Sequence, residues 1–466
     1  MTKHTRLEIL SAVLVNVARV VVGLTFVFSG FVKAVDPLGT VYKLQDYAEA
    51  VGLAGLFPEW MLTVASIALS LTEFLLGISM LFAMRRKSTT RLSLAFMLVM
   101  TCLTVWIYAA NPVSDCGCFG DAVHLTNGQT LLKNVVLTAL CLVTVCWWQR
   151  MPRLISHANR WIVFNYSTVF IIAVAAWSLY FLPLFDFRPY HIGANIPKGM
   201  EIPEGAEQPE FKTTFIMEKD GRQQEFSLEE YPDSTWRFVD SKTELIKPGY
   251  EPPIHDFTIQ RMSDGEDITD SILSAPGYTF LLIAPHLETA DDTNFGHLNE
   301  IFDFTQEKGY GFFCLTASTG KSVAHWADIT GAEYSFCNTD ETTLKTIIRS
   351  NPGLILLKQG TVVGKWSHNS LPVEELRKDG VITTQSSFLP QEDVTGRKVA
   401  NIMMWFVLPL MVLVIIDRVF NIFNHFTHKN KKENGKENRS RQLEDEQEPA
   451  GGRGSRQGTD RGSKES

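Results

Sequence analysis

The chain has 466 residues, of which 45% are hydrophobic and 20% charged, with a formal net charge of −8. Mean hydropathy is near zero only because apolar blocks alternate with long polar stretches, the distribution of a membrane protein with a large soluble part. The negative charge, the lack of a glycine-rich phosphate loop and the lack of a zinc-type cysteine quartet exclude nucleic-acid binding, phosphate-cradle chemistry and zinc-finger folds.

Apolar segments of about 20 residues, enough to cross a bilayer as helix, lie near 8–30, 61–84, 92–110, 130–148, 162–183 and 400–422. The first follows a short basic leader, as a signal peptide would. No small-x-small cleavage site follows it, however, and the later spans need it for a consistent topology. Lys3 and Arg6 precede span one, Arg85, Arg86, Lys87 and Arg91 separate spans two and three, and Arg150, Arg153 and Arg160 separate spans four and five. Positive residues stay on the cytoplasmic side, so both termini are expected in the cytoplasm of a multi-pass protein of the cytoplasmic (inner) membrane. The loops at 31–60 and 111–129 and the insert at 186–398 are then extracytoplasmic. Lys429, Lys431, Lys432 and Lys436 agree, and the tail beyond them reads as disordered.

Buried charges in a membrane are costly unless paired. Arg19 and Glu73 each lie about 12 residues, roughly 18 Å, inside their spans and are expected to meet near the midplane, as an ion pair that fixes the packing of spans one and two or in a substrate-, proton- or quinone-facing role. Lys33 and Asp36 are expected at the interface.

Between spans three and four, the loop Asn111-Pro-Val-Ser-Asp-Cys-Gly-Cys-Phe-Gly-Asp121 carries Cys116 and Cys118. Such a pair is open to thiol–disulfide exchange, to a permanent structural disulfide or to metal capture, with His124 as a further ligand or as a group tuning a thiolate. Gly117 permits the tight turn and Pro112 stiffens the approach. Cys102, Cys141 and Cys146 sit in apolar helices as packing residues.

The run from Arg19 to Asp36 (RVVVGLTFVFSGFVKAVD), the run Glu73-Phe-Leu-Leu-Gly-Ile-Ser-Met-Leu-Phe82 and the Cys116-Gly-Cys-Phe-Gly120 loop together resemble the DoxX and methylamine-utilisation MauE group of four-helix membrane proteins, over residues 8–150. The resemblance implies an inner-membrane bundle linked to respiratory or disulfide chemistry. A quinone acceptor is compatible with it; methylamine as a substrate is not indicated.

In the insert, Phe211 to Met217, the turn Lys219-Asp-Gly221 and Gln223 to Leu228 predict a hairpin, with a further strand at Trp236, Phe238 and Val239. From Ile254, strands at Tyr278 to Ala284, Gly311 to Leu315, Tyr334 to Phe336, Gly353 to Leu357 and Val362 to Trp366 alternate with helices near 292–308, 319–330 and 339–350, an α/β layer pattern. The order resembles the thioredoxin fold as elaborated in peroxiredoxin and TlpA-like proteins, over 254–380. The resemblance makes Pro352, in Asn351-Pro352, the candidate cis-proline, with Lys358-Gln-Gly-Thr361 as the final hairpin turn. Where that fold carries Cys-x-x-Cys, this chain reads Pro285-His-Leu-Glu-Thr-Ala-Asp-Asp-Thr293, without a thiol. Glu288, Asp291 and Asp292 stand there instead, suited to a cation or partner, or simply to a helix N-terminus. Cys314 and Cys337 either pair or lie buried singly.

The expected architecture is a multi-pass α-helical bundle plus an α/β thioredoxin-like domain with a small β-subdomain. It divides into a membrane domain at 1–150, a fifth helix at 160–185, a tether with the β-subdomain at 186–253, the thioredoxin-like domain at 254–380, a tether at 381–398, a sixth helix at 399–422 and the cytoplasmic tail at 423–466. Two functions follow: a membrane thiol–disulfide oxidoreductase acting through Cys116 and Cys118, or a non-catalytic assembly factor whose thioredoxin-like domain binds an extracytoplasmic protein. The expected partners are the bilayer and such a client.

Overall fold

The computed structural model describes residues 3–113, 116–207, 210–219, 222–227, 236–247, 249–255, 257–383, 386–389 and 394–423; the predicted hairpin-turn residues 220 and 221 and the tail from 424 lie outside them. Helix α1 (Lys3–Val35) is followed by α2 (Pro37–Ala50), α3 (Glu59–Leu81), α4 (Arg86–Ala110), α5 (Asn127–Cys146) and α6 (Arg160–Tyr180). Among the described residues six helices are long and apolar enough to cross a membrane: α1 from Glu8, α3 to α6, and Thr395–Phe423 near the end of the chain. Each expected span is present, and the protein is a multi-pass membrane protein.

Helix α2 falls inside the expected loop 31–60. Its signal is local: the Asp36 carboxylate accepts from Gly39 N at 2.9 Å, Pro37 occupies the first turn, and Val41 is buried. Leu38, Val41, Tyr42 and Gln45 follow helical spacing, but over too short a stretch to stand out from sequence.

Helices α1 and α3 pack in backbone contact. A Cβ on Gly30 would sit 2.5 Å from Phe74 N, and one on Gly77 would sit 2.6 Å from Val27 N. These contacts fix the stagger. Ser29 lies level with Glu73, and α3 runs about eight residues, ~12 Å, past the end of α1. That stagger overturns the expected meeting of Arg19 and Glu73, because their depths were counted from two helix ends that are not level. Glu73 pairs with Lys33 at 2.9 Å, both buried, and Arg19 reaches Pro152 O at 3.3 Å near the opposite end. Lys33 is therefore inside the bundle, not at the interface.

The later spans complete the bundle. Phe170 of α6 stacks on Phe406 of the last span at 4.0 Å. Asp417, a charge in that span not singled out from sequence, accepts from Ser156 N at 2.8 Å and Asn159 Nδ2 at 2.6 Å.

After α7 (Ile196–Met200), the strands β1 (Glu210–Lys219), β2 (Arg222–Ser227) and β3 (Arg237–Lys247) form a small antiparallel sheet, ordered β2-β1-β3, with Lys219 opposite Arg222 across the hairpin. The second sheet comprises β4 (Gln260–Arg261), β5 (Tyr278–Ile283), β6 (Gly311–Thr316), β7 (Ser335–Asn338), β8 (Gly353–Lys358) and β9 (Thr361–Ser367), ordered β4-β7-β6-β5-β8-β9. Strands β5, β6 and β7 are parallel, while β8 and β9 return antiparallel. Helices α8 (Thr269–Leu273), α9 (Phe295–Lys308), α10 (Gly320–Thr330), α11 (Glu341–Ile347) and α12 (Val373–Asp379) complete the layers. This parallel core with an antiparallel final hairpin is thioredoxin-like, and the Asn351–Pro352 peptide is cis.

Strand β5 is buried throughout, because each face of the sheet carries its own core. The two cores also decide the cysteines. In register, Leu315 faces Cys337 and Cys314 faces Phe336. Side chains alternate along a strand, so Cys314 belongs to one core and Cys337 to the other. The considered Cys314–Cys337 pairing fails on this geometry, and both thiols are free.

The stretch read as a tether after 186 begins as part of this domain. Gly193 N donates to Val362 O and Val362 N to Ala194 O, at 2.8 and 2.9 Å, and Ile196 is buried in the core.

Candidate functional site

The Cys loop is built from both flanking helices. Thr126 caps α5 with a reciprocal Gln129 contact, and Asn127 Nδ2 donates to Asn111 Oδ1 at 2.8 Å and Val113 O at 3.0 Å, closing the loop on the end of α4. Gly117 has φ +62, and a Cβ there would meet Lys43 Cγ at 3.1 Å. Glycine is thus favoured by conformation, and any side chain there would press on Lys43.

Beneath the loop lies the buried Lys33–Glu73 pair. Lys33 Nζ donates to Cys118 O at 2.6 Å, and Ser29 Oγ lies 2.8 Å from the same carbonyl. Tyr47 of α2 donates to Cys116 O at 2.7 Å. Three side chains from two helices therefore hold the backbone of both cysteines. Phe119 packs edge-on to Phe28 and carries Lys133 Nζ 4.0 Å from its ring centre.

The two sulfurs lie 2.9 Å apart. Cys116 is buried and Cys118 half-buried. Either thiol can donate in this contact; with Cys116 donating, the Cys118 thiol falls below its usual range, opposed by burial and by the Glu73 charge and reinforced by the Lys133 and Lys33 charges. Cys116 is pushed up by that same hydrogen bond and by burial. With that polarity the proton sits on Cys116 and the negative charge on Cys118. Such a pair can attack a disulfide through Cys118 and close onto it through Cys116.

Among the described residues no three His, Cys, Asp or Glu side chains gather to hold a metal ion, so His124 does not complete a site with the two cysteines. Cys141 is buried in the bundle core, whereas Cys102 and Cys146 are exposed on its outside.

The thioredoxin-like domain docks beside the loop through Arg349, two residues before the cis peptide. Its Nε donates to Asp36 Oδ2 at 2.9 Å, and its Nη2 lies 3.3 Å from Asp121 Oδ2. The guanidinium also stacks 5.1 Å from the Tyr42 ring. Asp36 thus caps α2 and anchors the domain, a role its sequence position did not suggest. On the far side of the contact, Asn369 Nδ2 donates to Tyr180 O at 2.9 Å and Lys365 pairs with Asp186. Burial pushes the Asp186 carboxyl up, but Lys365 and Arg188 outweigh it and bring it down to about 2.

The thiol-free turn after β5 faces this contact. His286 Nε2 lies 2.9 Å from Glu341 Oε1, Glu288 accepts from Ser318 Oγ at 2.7 Å, and Asp291 lies 3.5 Å from His368. Tyr42 of α2, His286, Glu288, Glu341, Asn351 and His368 line a cleft of about 760 Å³ between domain and bundle. Glu288 and Asp291 are thus engaged with neighbours within the domain.

Comparison with known proteins gives four results. No curated protein sequence matches the chain. A solution structure of a candidate protein disulfide isomerase from Bacteroides thetaiotaomicron is similar at 14% identity and TM-score 0.22, over 27% of this chain and 91% of that one. A family model described as a domain of unknown function (DUF8463) matches residues 211–248, the small sheet. The part of the bundle that carries the Lys33–Glu73 pair and the Cys loop, residues 11–148, matches the family model of methylamine utilisation protein MauE.

Proposed function

We propose that this protein carries out thiol–disulfide exchange through Cys116 and Cys118 at the extracytoplasmic face of the inner membrane, with both termini cytoplasmic. The supporting observation is the close pair itself: two sulfurs 2.9 Å apart, with Cys118 lowered by its neighbour and by two lysines, on a backbone gripped by Lys33, Ser29 and Tyr47. In the forward direction the Cys118 thiolate attacks a client disulfide, forming a mixed disulfide and releasing one client thiolate. Cys116 then gives up its proton and attacks Cys118, forming the Cys116–Cys118 bond and releasing the reduced client with two electrons. The reverse sequence oxidises a client dithiol. The basic residues between α3 and α4 and between α5 and α6 support the orientation.

The thioredoxin-like domain, lacking a thiol after β5, serves on this reading to hold a polypeptide client in the cleft beside the loop. That missing thiol also favours a second reading, a non-catalytic assembly factor. Acid trapping and alkylation of Cys116 and Cys118 in intact cells separates the two. Exchange predicts a mixture of reduced and oxidised protein that shifts with added reductant or oxidant. A pair that stays fully oxidised, with no loss of function when both cysteines become serine, leaves the assembly factor.

A further inference from the structure

Below the Cys loop, inside the bundle, lies a cavity of about 270 Å³. Phe96, Met97, Leu103 and Leu137 give it an apolar body, and Cys116, Gly117, Cys118 and Lys133 line it as well. Its volume falls just below the ~300–1,000 Å³ typical of small-molecule sites, which suits one substituted ring. Val99, another lining residue, is 68% exposed on the outer surface of α4, so the cavity rim meets the lipid. A ligand therefore reaches the thiols from within the membrane.

Resting on the thiol-exchange reading, we infer that this cavity is the site of a lipid-soluble quinone that takes electrons from the Cys116–Cys118 dithiol. The pair delivers two electrons at once, and the acceptor must be apolar enough to occupy the cavity and able to accept two electrons and two protons. A quinone ring meets both conditions, with its tail leaving past Val99. In the step, the Cys116 S–H bond breaks and its sulfur forms one S–S bond with the Cys118 thiolate. Both electrons pass to the ring, and its oxygens take one proton from Cys116 and a second from water at the loop, giving a quinol and a disulfide. Lys133, held 4.0 Å over Phe119 beside Cys118, supplies positive charge where the ring oxygen becomes negative.

The test uses the full chain in lipid nanodiscs, reduced, freed of reductant and mixed with decylubiquinone. Quinone loss is followed by ultraviolet absorbance and free thiols by alkylation mass. The expected result is one quinone reduced per protein, with both Cys116 and Cys118 becoming resistant to alkylation. Leu103→Trp, which fills the cavity, slows quinone reduction by about tenfold or more, and Leu103→Phe slows it less. The wild-type comparison does not depend on how the variants fold. If the water-soluble oxidant diamide oxidises the pair quickly while decylubiquinone leaves it reduced, the quinone site is overturned and thiol exchange stands. If neither oxidises it, both readings fall.

Discussion

The two cysteines differ in how each is held, and that difference sets their chemistry. A hydrogen bond donated by Cys116 lowers Cys118 below the ~8.5 of an ordinary thiol. Alkylation of Cys118 by iodoacetamide is therefore expected to persist below neutral pH and to fall only as pH drops through the lowered value. Cys116→Ala removes the donor and moves that profile to higher pH; an unmoved profile would show that the hydrogen bond is not the cause. The Lys33–Glu73 pair makes a second residue-scale prediction. Glu73→Ala leaves a buried ammonium unpaired and should cost about 3–5 kcal/mol, while Lys33→Met with Glu73→Met restores most of it, as read by thermal unfolding in detergent. The Cys-Gly-Cys loop was legible from sequence because small, reactive and polar residues interrupt apolar runs. The partner of Glu73 was not, because depth counted along each helix says nothing of their stagger.

At the scale of elements, that stagger is set by Gly30 and Gly77. Gly77→Ala forces α1 and α3 apart and is expected to destabilise by about 1–3 kcal/mol. Gly296, exposed in the first turn of α9 with no neighbour near its Cβ position, is the control: Gly296→Ala should be neutral or stabilising by up to about 1 kcal/mol. Equal losses at both positions would remove the close approach as the cause. The spans and the strands β5 to β9 were readable because length and buried apolar runs carry them. Helix α2 was hidden, since its 14 residues are amphipathic and its first turn is fixed by one aspartate and one proline. The separate burial of Cys314 and Cys337 depends on a one-residue register that no single strand encodes.

For the whole molecule, docking of the thioredoxin-like domain on the bundle turns on Arg349, which looks in the sequence like an ordinary residue after a short helix. Its meaning comes from Asp36 and Asp121, more than 200 positions earlier, brought under it by the fold. Arg349→Ala should loosen the contact and raise hydrogen exchange in α2 and in the Cys loop. Arg349→Lys should restore only part of the protection, because a single ammonium does not span two carboxylates as a planar guanidinium does. Unchanged exchange in Arg349→Ala would mean that the Asp186–Lys365 side alone holds the domain.

The most direct measurement is disulfide trapping in cells with the two single-serine variants. Cys116→Ser keeps the attacking sulfur and loses the resolving one, so client proteins should accumulate on Cys118 as reductant-sensitive adducts, and Cys118→Ser should accumulate far fewer. A Cys116→Ser protein that carries no adducts, while client disulfides are present and Cys118 remains free to react, would contradict thiol exchange at this loop.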